Sequence, residues 1–351
     1  MTKIFWKNKK VFITGHSGFK GSWLSLWLSS HGANVYGYSL EPVTTPNLFS
    51  TLDISNTIHT STIGDINSQG QLLNSMMQCN PDIVIHMAAQ PLVRESYITP
   101  IETLNTNVIG TANVLNAARQ LKNLKVILNI TTDKCYENLE RIEPYEETEA
   151  LGGHDLYSAS KACSEIITSA YRRSFFNDLN INLASARAGN VIGGGDWSQD
   201  RLIPDLIRAN ETKKCLHIRS PLATRPWQHV LEPLSGYMKL IEALYCKGND
   251  YNEAWNFGPN DDDVKSVKWI ANYSCQKLKY LNWKDSSNEV SPHEAQSLKL
   301  NSNKAKAKLE WYPKWSIDNA LDNTLNWYDS YASGEDMLNV SLDQIQIYEK
   351  L

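Results

Sequence analysis

Three glycines at strict three-residue spacing, Gly15, Gly18 and Gly21, separate an apolar strand-like segment from an apolar helix-like segment. In a parallel sheet, the loop between the first strand and the first helix directs backbone N–H groups and the positive helix end to one point. Glycine is needed there because a Cβ would hinder the tight turn, the approach of a ligand and the packing of the helix. The stretch therefore predicts a site for a dinucleotide pyrophosphate, although its spacing is G-x-x-G-x-x-G and not G-x-G-x-x-G.

The type of dinucleotide depends on the end of the second predicted strand. Ser39 stands where an acid usually holds the ribose 2′-hydroxyl, and Glu41 follows two residues later. Lys20 and His16 could contact a 2′-phosphate, or they could be a solvated lysine and a loop histidine. Asp65 could accept a hydrogen bond from the adenine amino group, or it could cap the helix that follows. We expect NAD, with NADP as the alternative.

Short apolar runs, several rich in β-branched residues, alternate with segments of helical periodicity through the first half of the chain. This alternation predicts an α/β protein built on a Rossmann-type, doubly wound parallel sheet. We expect strands at 10–14, 33–40, 57–63, 82–89, 125–132 and 181–187, and helices at 19–30, 68–79, 101–121 and 155–175.

The pattern changes after about residue 190, where glycines and prolines divide the chain into shorter pieces. Residues 230–247 again look helical, and 254–259 look like one more strand and turn. We therefore expect an NAD-binding Rossmann domain and a smaller, mixed C-terminal domain that binds the substrate. The predicted boundaries are 1–188 with 224–259 for the first domain, and 189–223 with 260–351 for the second.

The composition is that of an ordinary globular protein. Of 351 residues, 42% are hydrophobic and 21% charged, and the net charge of -4 gives no basic excess to attract nucleic acid or a membrane surface. The sequence contains no apolar run of about 18 residues that could span a bilayer. Because the six cysteines form no C-x-x-C pair, we expect reduced thiols, no metal site and a cytoplasmic location.

Two short motifs supply groups for proton transfer. Tyr157 and Lys161 in YSASK are four residues apart on a predicted helix, so their side chains share one face. A tyrosine is a poor base at neutral pH, but the Lys161 ammonium and a positively charged nicotinamide both favour the phenolate. Thr132, Asp133 and Lys134 follow the fifth predicted strand and would enter the same crevice, since ligands bind at the carboxyl edge of such sheets.

Together these motifs resemble the extended short-chain dehydrogenase/reductase family, and in particular its nucleotide-sugar 4,6-dehydratase branch. The likeness covers nearly the whole chain, and the glycine loop, TTDKCY and GNVIGGGDW are specific to the dehydratases. The segments that carry it are TGHSGFKGSWL (14–24), GDI (64–66), HMAAQPLV (86–93), NTNVIGT (105–111), TTDKCY (131–136), YSASK (157–161), ARAGNVIGGGDW (186–197) and RPWQHV (225–230).

The resemblance implies a set of binding residues. Asn190, Arg201 and Arg225 would hold the diphosphate and sugar of a nucleotide sugar, for which guanidinium groups are suited. Arg187 could do the same, or it could tie the last strand to a carboxylate. NAD would be bound by Gly15, His16, Ser17, Gly18, Phe19, Lys20, Gly21, Asp65, Ile66, Ala88, Ala89, Gln90, Asn107, Tyr157 and Lys161.

The resemblance also implies the substrate and the assembly. The substrate would be CDP-glucose, and the product would lead toward the dideoxy sugars of bacterial O-antigen. In the family, the helices predicted at 101–121 and 155–175 pair with their copies in a second subunit. A homodimer is therefore expected, with a tetramer left open.

The implied reaction begins when Tyr157, assisted by Lys161 and Thr132, removes the C4 hydroxyl proton while a hydride passes from C4 to NAD. The resulting ketone acidifies the C5 hydrogen, so that a base can remove it, an acid can release the C6 hydroxyl as water, and the hydride can return to C6. We assign Lys134 as the base and Asp133 as the acid. Because dTDP-glucose dehydratases carry a glutamate in place of Lys134, the opposite assignment stays open, as does a simple surface ion pair.

Two alternatives to a dehydratase remain at this point. A nucleotide-sugar 4-epimerase or a reductase of the same fold would use Tyr157 and Lys161 and would leave Lys134 idle. A scaffold that binds NAD without turnover would need none of these groups. The Asp133–Lys134 pair favours the dehydratase, because 4-epimerases typically carry small hydroxyl residues there.

Overall fold

The protein is described by a computed structural model that covers residues 3–287 and 297–351. Its centre is one sheet of seven strands, every one parallel to its neighbours. These strands are β1 (Lys10–Thr14), β2 (Asn34–Ser39), β3 (Thr60–Ile63), β4 (Ile83–His86), β5 (Val126–Ile130), β6 (Asn182–Ala188) and β11 (Ala254–Phe257). Shorter strands pair outside it: β7 (Val191–Ile192), β8 (Cys215–Ile218), β9 (Thr224–Pro226), β10 (Gln228–His229), β12 (Val264–Ser266) and β13 (Asn282–Asp285).

The strands of the sheet run in the order β3, β2, β1, β4, β5, β6, β11. The chain therefore builds outward from β1 to one edge and from β4 to the other, which leaves a crevice between their carboxyl ends. This order confirms the predicted doubly wound sheet. The strand expected at 254–259 also joins it, since β11 pairs with β6. The strand expected at 57–63 begins only at Thr60, because residues 54–57 form a helical turn.

Helices cover both faces of the sheet. Within residues 3–287 and 297–351, no helix is long and apolar enough to cross a membrane. The helices are α1 (Lys3–Trp6), α2 (Phe19–Ser30), α3 (Leu48–Thr51), α4 (Ile54–Thr57), α5 (Gln69–Cys79), α6 (Val93–Ile98), α7 (Pro100–Leu104), α8 (Gly110–Ala118), α9 (Leu156–Tyr171), α10 (Leu202–Thr212), α11 (Leu231–Lys247), α12 (Val267–Lys277), α13 (Asn303–Leu309), α14 (Ile317–Ala332) and α15 (Met337–Lys350).

The sheet separates two hydrophobic cores. Successive residues of a strand point to opposite faces, so Val11 and Ile13 enter one core while Phe12 enters the other. Burial on both faces explains why the strands read as continuous apolar runs in the sequence. It also fixes the carboxyl ends of β1, β4 and β5 as a rigid edge.

The helix predicted at 101–121 is present but is not one regular α-helix. Residues Asn105–Ile109 form a π-helical turn between α7 and α8. At its centre, Asn107 accepts a hydrogen bond from the backbone N–H of Gln90 at 2.9 Å and donates to Ser160 Oγ at 2.9 Å. Single π-helical turns inside helices often mark functional sites. Here the turn directs one amide at the loop after β4, a tertiary contact that helical periodicity does not encode.

The last helix, α15, packs against α2 in the first half of the chain. Glu349 on α15 accepts hydrogen bonds from Trp27 Nε1 at 2.7 Å and from His31 Nε2, both on or next to α2. Tyr348 donates to the buried Glu232 of α11 at 2.7 Å. The division into two domains stays a prediction, and residues 288–296 of the second predicted domain lie outside the described part of the chain.

We predict that Glu349→Gln destabilises the protein near neutral pH. Burial alone would raise the pKa of Glu349, but the hydrogen bonds from His31 and Trp27 lower it to about 2. A carboxylate with a lowered pKa adds stability that is present above its unfolded value and lost as pH falls through the folded value. Urea unfolding should show a loss of about 1–3 kcal/mol near pH 7 that shrinks between about pH 4.5 and 2. The exposed Glu335→Gln is the control, and a loss independent of pH would contradict the prediction.

Candidate active site

A cavity of about 1220 Å³ opens at the carboxyl edge of the sheet, where the strand order reverses. Its size exceeds that of a typical pocket for one small ligand, so it can hold a dinucleotide together with a second ligand. The predicted site residues that line it are Gly15, Ser17, Gly18, Phe19, Lys20, Gly21, Asp65, Ile66, Ala88, Ala89, Gln90, Thr132, Asp133, Lys134, Tyr157, Lys161, Asn190, Arg201 and Arg225. His16 and Asn107 are absent from its lining.

Two glycines of the loop, Gly15 and Gly21, lie so close to neighbouring backbone that a side chain does not fit. Gly15 has φ +78°, and a Cβ on it would lie 2.6 Å from the backbone nitrogen of Ala88. A Cβ on Gly21 would lie 2.1 Å from the carbonyl oxygen of Gly15. The loop therefore presents bare backbone and the first turn of α2 to the cavity, which is the arrangement that binds a pyrophosphate.

His16 holds the loop in place from behind. Its Nδ1 lies 3.0 Å from Ser39 Oγ and its Nε2 lies 2.7 Å from Ser61 Oγ. Burial lowers the pKa of His16 to about 4, so the ring is neutral at neutral pH. A Cβ on Gly37 would lie 2.2 Å from this ring, so β2 needs a glycine there. The side chain of His16 is thus a support between the loop and β2, not a cation facing a 2′-phosphate.

Lys20 is not a solvated lysine on a helix surface. Its Nζ lies 6.0 Å from the centre of the Tyr237 ring, which belongs to α11. Burial, and then the positive charge of Arg201, lowers the pKa of Lys20 to about 7. Asp65 does not cap α5 directly. Its carboxylate accepts a hydrogen bond from the backbone N–H of Asn67 at 2.8 Å and stabilises the turn before that helix.

The loop after β5 brings the predicted acid and base together. Thr132 Oγ donates a hydrogen bond to Asp133 Oδ1 at 2.9 Å, and Lys134 Nζ lies 3.8 Å from the same oxygen. The Asp133 side chain is only 1% exposed. A simple surface ion pair, which the sequence left open, is therefore wrong for these residues.

Tyr157 and Lys161 lie in the first two turns of α9, next to this loop. Asp155 caps the start of α9 by accepting a hydrogen bond from the backbone N–H of Ser158. Burial raises the pKa of Tyr157 to about 12, and a hydrogen bond with Thr132 acts in the opposite direction. Burial also lowers the pKa of Lys161 to about 8, and its Nζ donates to the carbonyl of Ile130 at 3.3 Å. The surrounding protein groups therefore favour the phenol over the expected phenolate.

Glu165 and Arg187 form a buried ion pair that was not predicted from the sequence. This pair supports both the loop after β5 and the helix that carries Tyr157 and Lys161. Glu165 of α9 accepts hydrogen bonds from Arg187 at 2.9 Å and 3.0 Å, from Ser185 at 2.6 Å, and from Thr131. Burial opposes the charge on Glu165, but Arg187 and these hydrogen bonds lower its pKa. The structural alternative for Arg187 is thus confirmed.

The hydrogen-bond network of Glu165 and Arg187 extends to Tyr136, two residues after Lys134. Arg187 donates to Tyr136 Oη at 2.8 Å, and Tyr136 donates to Asn256 on β11. The network therefore holds both ends of the TTDKCY segment. Sequence reasoning missed Glu165 and Tyr136, although Glu165 stands one helical turn after Lys161 and so on the same face of α9.

The predicted substrate residues line the same cavity as the glycine loop. Arg201 Nη1 contacts Asp196 Oδ2 at 3.2 Å, and Arg225 donates to the carbonyl of Thr224 at 2.9 Å. Asn190 also lines this cavity. Further charged groups at the cavity were not predicted from the sequence: Arg94 and Arg219 both contact Asp200.

Comparison with known proteins decides the family. A family model described as GDP-mannose 4,6 dehydratase matches residues 12–324. The chain belongs to this nucleotide-sugar dehydratase family. The CDP-glucose 4,6-dehydratase of Salmonella typhimurium is 49% identical, over 99% of this chain and 98% of its own length.

Solved structures agree with this dehydratase fold. The dTDP-glucose 4,6-dehydratase of Bacillus anthracis, in complex with NAD, has a TM-score of 0.75 at 22% identity and covers 93% of this chain and 99% of its own. MoeE5, in complex with UDP-glucuronic acid and NAD, has a TM-score of 0.76 at 21% identity and covers 92% and 99%. At these sequence identities, the similarity shows only that the proteins share a fold.

The family uses NAD as its cofactor, and the cavity of this chain fits that group. The bare loop at Gly15, Gly18 and Gly21 would hold the pyrophosphate, and Tyr157 with Lys161 would face the nicotinamide and its ribose. When bound, NAD supplies a temporary store for one hydride. The residues around it must then bind the sugar and move its protons.

We predict that breaking the Glu165–Arg187 pair destabilises the dehydratase strongly. Arg187→Met leaves a buried carboxylate without its cation, which typically costs about 3–5 kcal/mol. The double variant Glu165→Leu/Arg187→Met removes both charges and should be more stable than Arg187→Met alone. Urea unfolding measures both, with the exposed Arg173→Met as the control. An Arg187→Met variant as stable as the parent would show that the pair does not support the site.

Proposed function

We propose that the protein is a CDP-glucose 4,6-dehydratase, a hydro-lyase that converts CDP-glucose to CDP-4-keto-6-deoxy-glucose and water with bound NAD. This proposal rests on the buried Asp133 and its neighbour Lys134, which lie near Tyr157. Water elimination needs such a second acid–base pair, whereas oxidation or reduction at C4 alone does not. The choice of cytidine nucleotide and glucose rests on the near full-length relative of that activity.

The reaction begins at C4 of the sugar. Tyr157, as the phenolate, takes the proton of the C4 hydroxyl, and Thr132 beside it favours that phenolate. Lys161, which is buried and lies one helical turn after Tyr157 on α9, adds a positive charge that favours the phenolate. NAD, when bound, would supply the store for the hydride that leaves C4 and returns to C6.

The C4 ketone then makes elimination possible, because the electrons released from C5 delocalise onto the carbonyl oxygen. Lys134 takes the C5 proton, and Asp133 protonates the C6 hydroxyl, which leaves as water. After hydride return to C6, Lys134 gives the proton back to C5. The two groups lie 3.8 Å apart and can therefore serve C5 and C6, which are neighbouring carbons of the hexose.

The diphosphate of the substrate would lie against the wall that carries Arg201, Arg225 and Asn190. Two guanidinium groups provide paired donors for phosphate oxygens. Asn190 Oδ1 is buried and has no hydrogen-bond partner among the described residues, so it can accept from a sugar hydroxyl. Asp133 and Lys134 line the same cavity, as the proposed reaction requires.

We also propose that two copies pair through the helices around α9. Ile101, Ile109 and Ile166 are exposed by 65%, 50% and 56% on α7, the π-helical turn and α9. Large apolar side chains grouped on one surface favour an interface. A homodimer is the expected unit, and a tetramer stays open.

The proposed cellular setting is the cytoplasm. All six cysteines are free thiols, which is usual in a reducing compartment. The product would enter the synthesis of dideoxy sugars for O-antigen, as the resemblance implies.

The substrate is tested by incubating the protein and NAD with CDP-glucose, UDP-glucose, dTDP-glucose and GDP-mannose. We expect CDP-glucose to give the alkali-dependent ultraviolet absorbance of a 4-keto-6-deoxy sugar. Deuterium placed at C4 should appear at C6 of the product, because the same hydride leaves and returns. A C4 epimer without keto product would support an epimerase, and no change in any substrate would support a scaffold that only binds NAD.

Variants should separate the two halves of the reaction. Lys134→Ala should still form reduced nicotinamide on mixing with substrate but should lose water elimination by about 100-fold or more. Tyr157→Phe should lose both, since it cannot accept the C4 proton. Absorbance of reduced nicotinamide and of the keto product measures the two steps, with the exposed Lys122→Ala as the control. If Lys134→Ala eliminates water at the parent rate, Lys134 is not the C5 base.

A further inference from the structure

Three charged side chains that the proposed reaction does not use meet at the cavity. Arg94 lies on α6, Asp200 lies in the loop before α10, and Arg219 directly follows β8. All three residues line the cavity that would hold the nucleotide sugar. We call them the Arg94–Asp200–Arg219 cluster, and its inferred role rests on the proposed function.

Both guanidinium groups of the cluster contact the same oxygen atom. Arg94 Nη1 forms an ion pair with Asp200 Oδ1, and Arg219 Nη1 lies 3.4 Å from that same oxygen. Two positive side chains therefore converge on one negative side chain. Guanidinium groups that donate to one point are also the arrangement that binds phosphate oxygens. The Asp200 carboxylate thus occupies a position that suits an anionic ligand.

The contacts of Asp200 with the two arginines can be exchanged at little cost. The side chains of Arg94, Asp200 and Arg219 are 35%, 37% and 32% exposed. Ion pairs that water reaches contribute little to stability, because solvent screens the charges and two long side chains lose entropy. The Glu165–Arg187 pair, which is buried on both sides, is the opposite case. An anion that enters the cavity can therefore replace the Asp200 carboxylate without disturbing the core.

The loop that carries Asp200 provides counter-ions for a third arginine as well. Asp196 Oδ2 lies 3.2 Å from Nη1 of Arg201, a residue that would hold the diphosphate of the substrate. Asp200 has φ +57°, a left-handed conformation in which aspartate and asparagine are enriched among residues other than glycine. In the chain without substrate, aspartates of this one loop therefore pair with Arg94, Arg201 and Arg219.

We propose that the diphosphate of the nucleotide sugar replaces Asp200 at Arg94 and Arg219 when the substrate binds. A diphosphate carries more negative charge and more acceptor oxygens than one carboxylate, so it can accept from both guanidinium groups at once. When the product leaves, Asp200 pairs with the two arginines again. Asp200 is therefore a built-in competitor that limits the affinity of the protein for both substrate and product.

The first test is the affinity of Asp200→Asn for CDP, measured by isothermal titration calorimetry on the NAD-loaded protein. Asparagine tolerates the left-handed backbone of residue 200 but carries no charge. Because the competitor is removed, the variant should bind CDP about fivefold more tightly than the parent. Arg94→Gln should bind CDP about tenfold more weakly, and the exposed Asp178→Asn should bind it as the parent does. If Asp200→Asn binds CDP with equal or lower affinity, Asp200 does not compete with the diphosphate and the exchange is wrong.

A second background separates competition from simple charge repulsion, which would also tighten binding when Asp200 is neutralised. The variant Arg94→Gln/Arg219→Gln lacks the two guanidinium groups for which Asp200 competes. Adding Asp200→Asn to it should therefore change the affinity for CDP by less than about twofold, since coupled residues are not additive. A gain of about fivefold or more in this background would show that repulsion alone is at work, and it would overturn the exchange.

Two further ligands identify the group that replaces Asp200. NAD also carries a diphosphate, but the glycine loop would hold it, so Asp200→Asn should leave the affinity for NAD within about twofold of the parent. Cytidine, which has no phosphate, should bind the parent and the variant equally. A tighter complex with NAD or cytidine instead of CDP would overturn the exchange. A parent protein that acts on none of the four nucleotide sugars would overturn the proposed function, whereas CDP binding would still decide the exchange.

Discussion

The ion pair between Glu165 and Arg187 is the constraint on which the active site depends. It joins α9 to β6, and through Thr131 and Tyr136 it fixes both ends of the turn that carries Asp133 and Lys134. The pair is buried, so neither partner can leave without exposing an uncompensated charge to the protein interior. The positions of the acid, the base and the Tyr157 phenol are therefore set by one rigid network.

The cofactor side of the cavity is rigid for a different reason. Gly15 lies too close to the backbone that follows β4 for a side chain, Gly21 lies too close to the glycine loop itself, and His16 fixes the loop to Ser39 at the end of β2. Close backbone packing and buried polar contacts thus meet at the same edge of the sheet. Since proton transfer requires donor and acceptor within hydrogen-bond distance, this rigidity matters more for the proposed reaction than the affinity of any one contact.

Much of the fold followed from local patterns. Buried parallel strands read as apolar runs, and the spacing of Gly15, Gly18 and Gly21 between a strand and a helix predicts the phosphate-binding loop from local sequence. The π-helical turn at Asn107 could not be predicted, because its cause is an amide contact with Gln90 in another loop. Glu165 was missed for the same reason, since its partners come from β5 and β6. The domain boundaries and the roles of the site residues stay predictions.

The sequence by itself determined the doubly wound sheet, the dinucleotide loop and the pairing of Tyr157 with Lys161 on one helix face, because each depends on spacing along a single element. Only the tertiary structure decided that His16 supports the loop from behind, that Lys20 points toward Tyr237, and that Thr132 donates a hydrogen bond to the buried Asp133. These outcomes depend on burial and on which side chains meet across elements. The free energy of a charge or a hydrogen bond is set by those surroundings, which residue spacing does not contain.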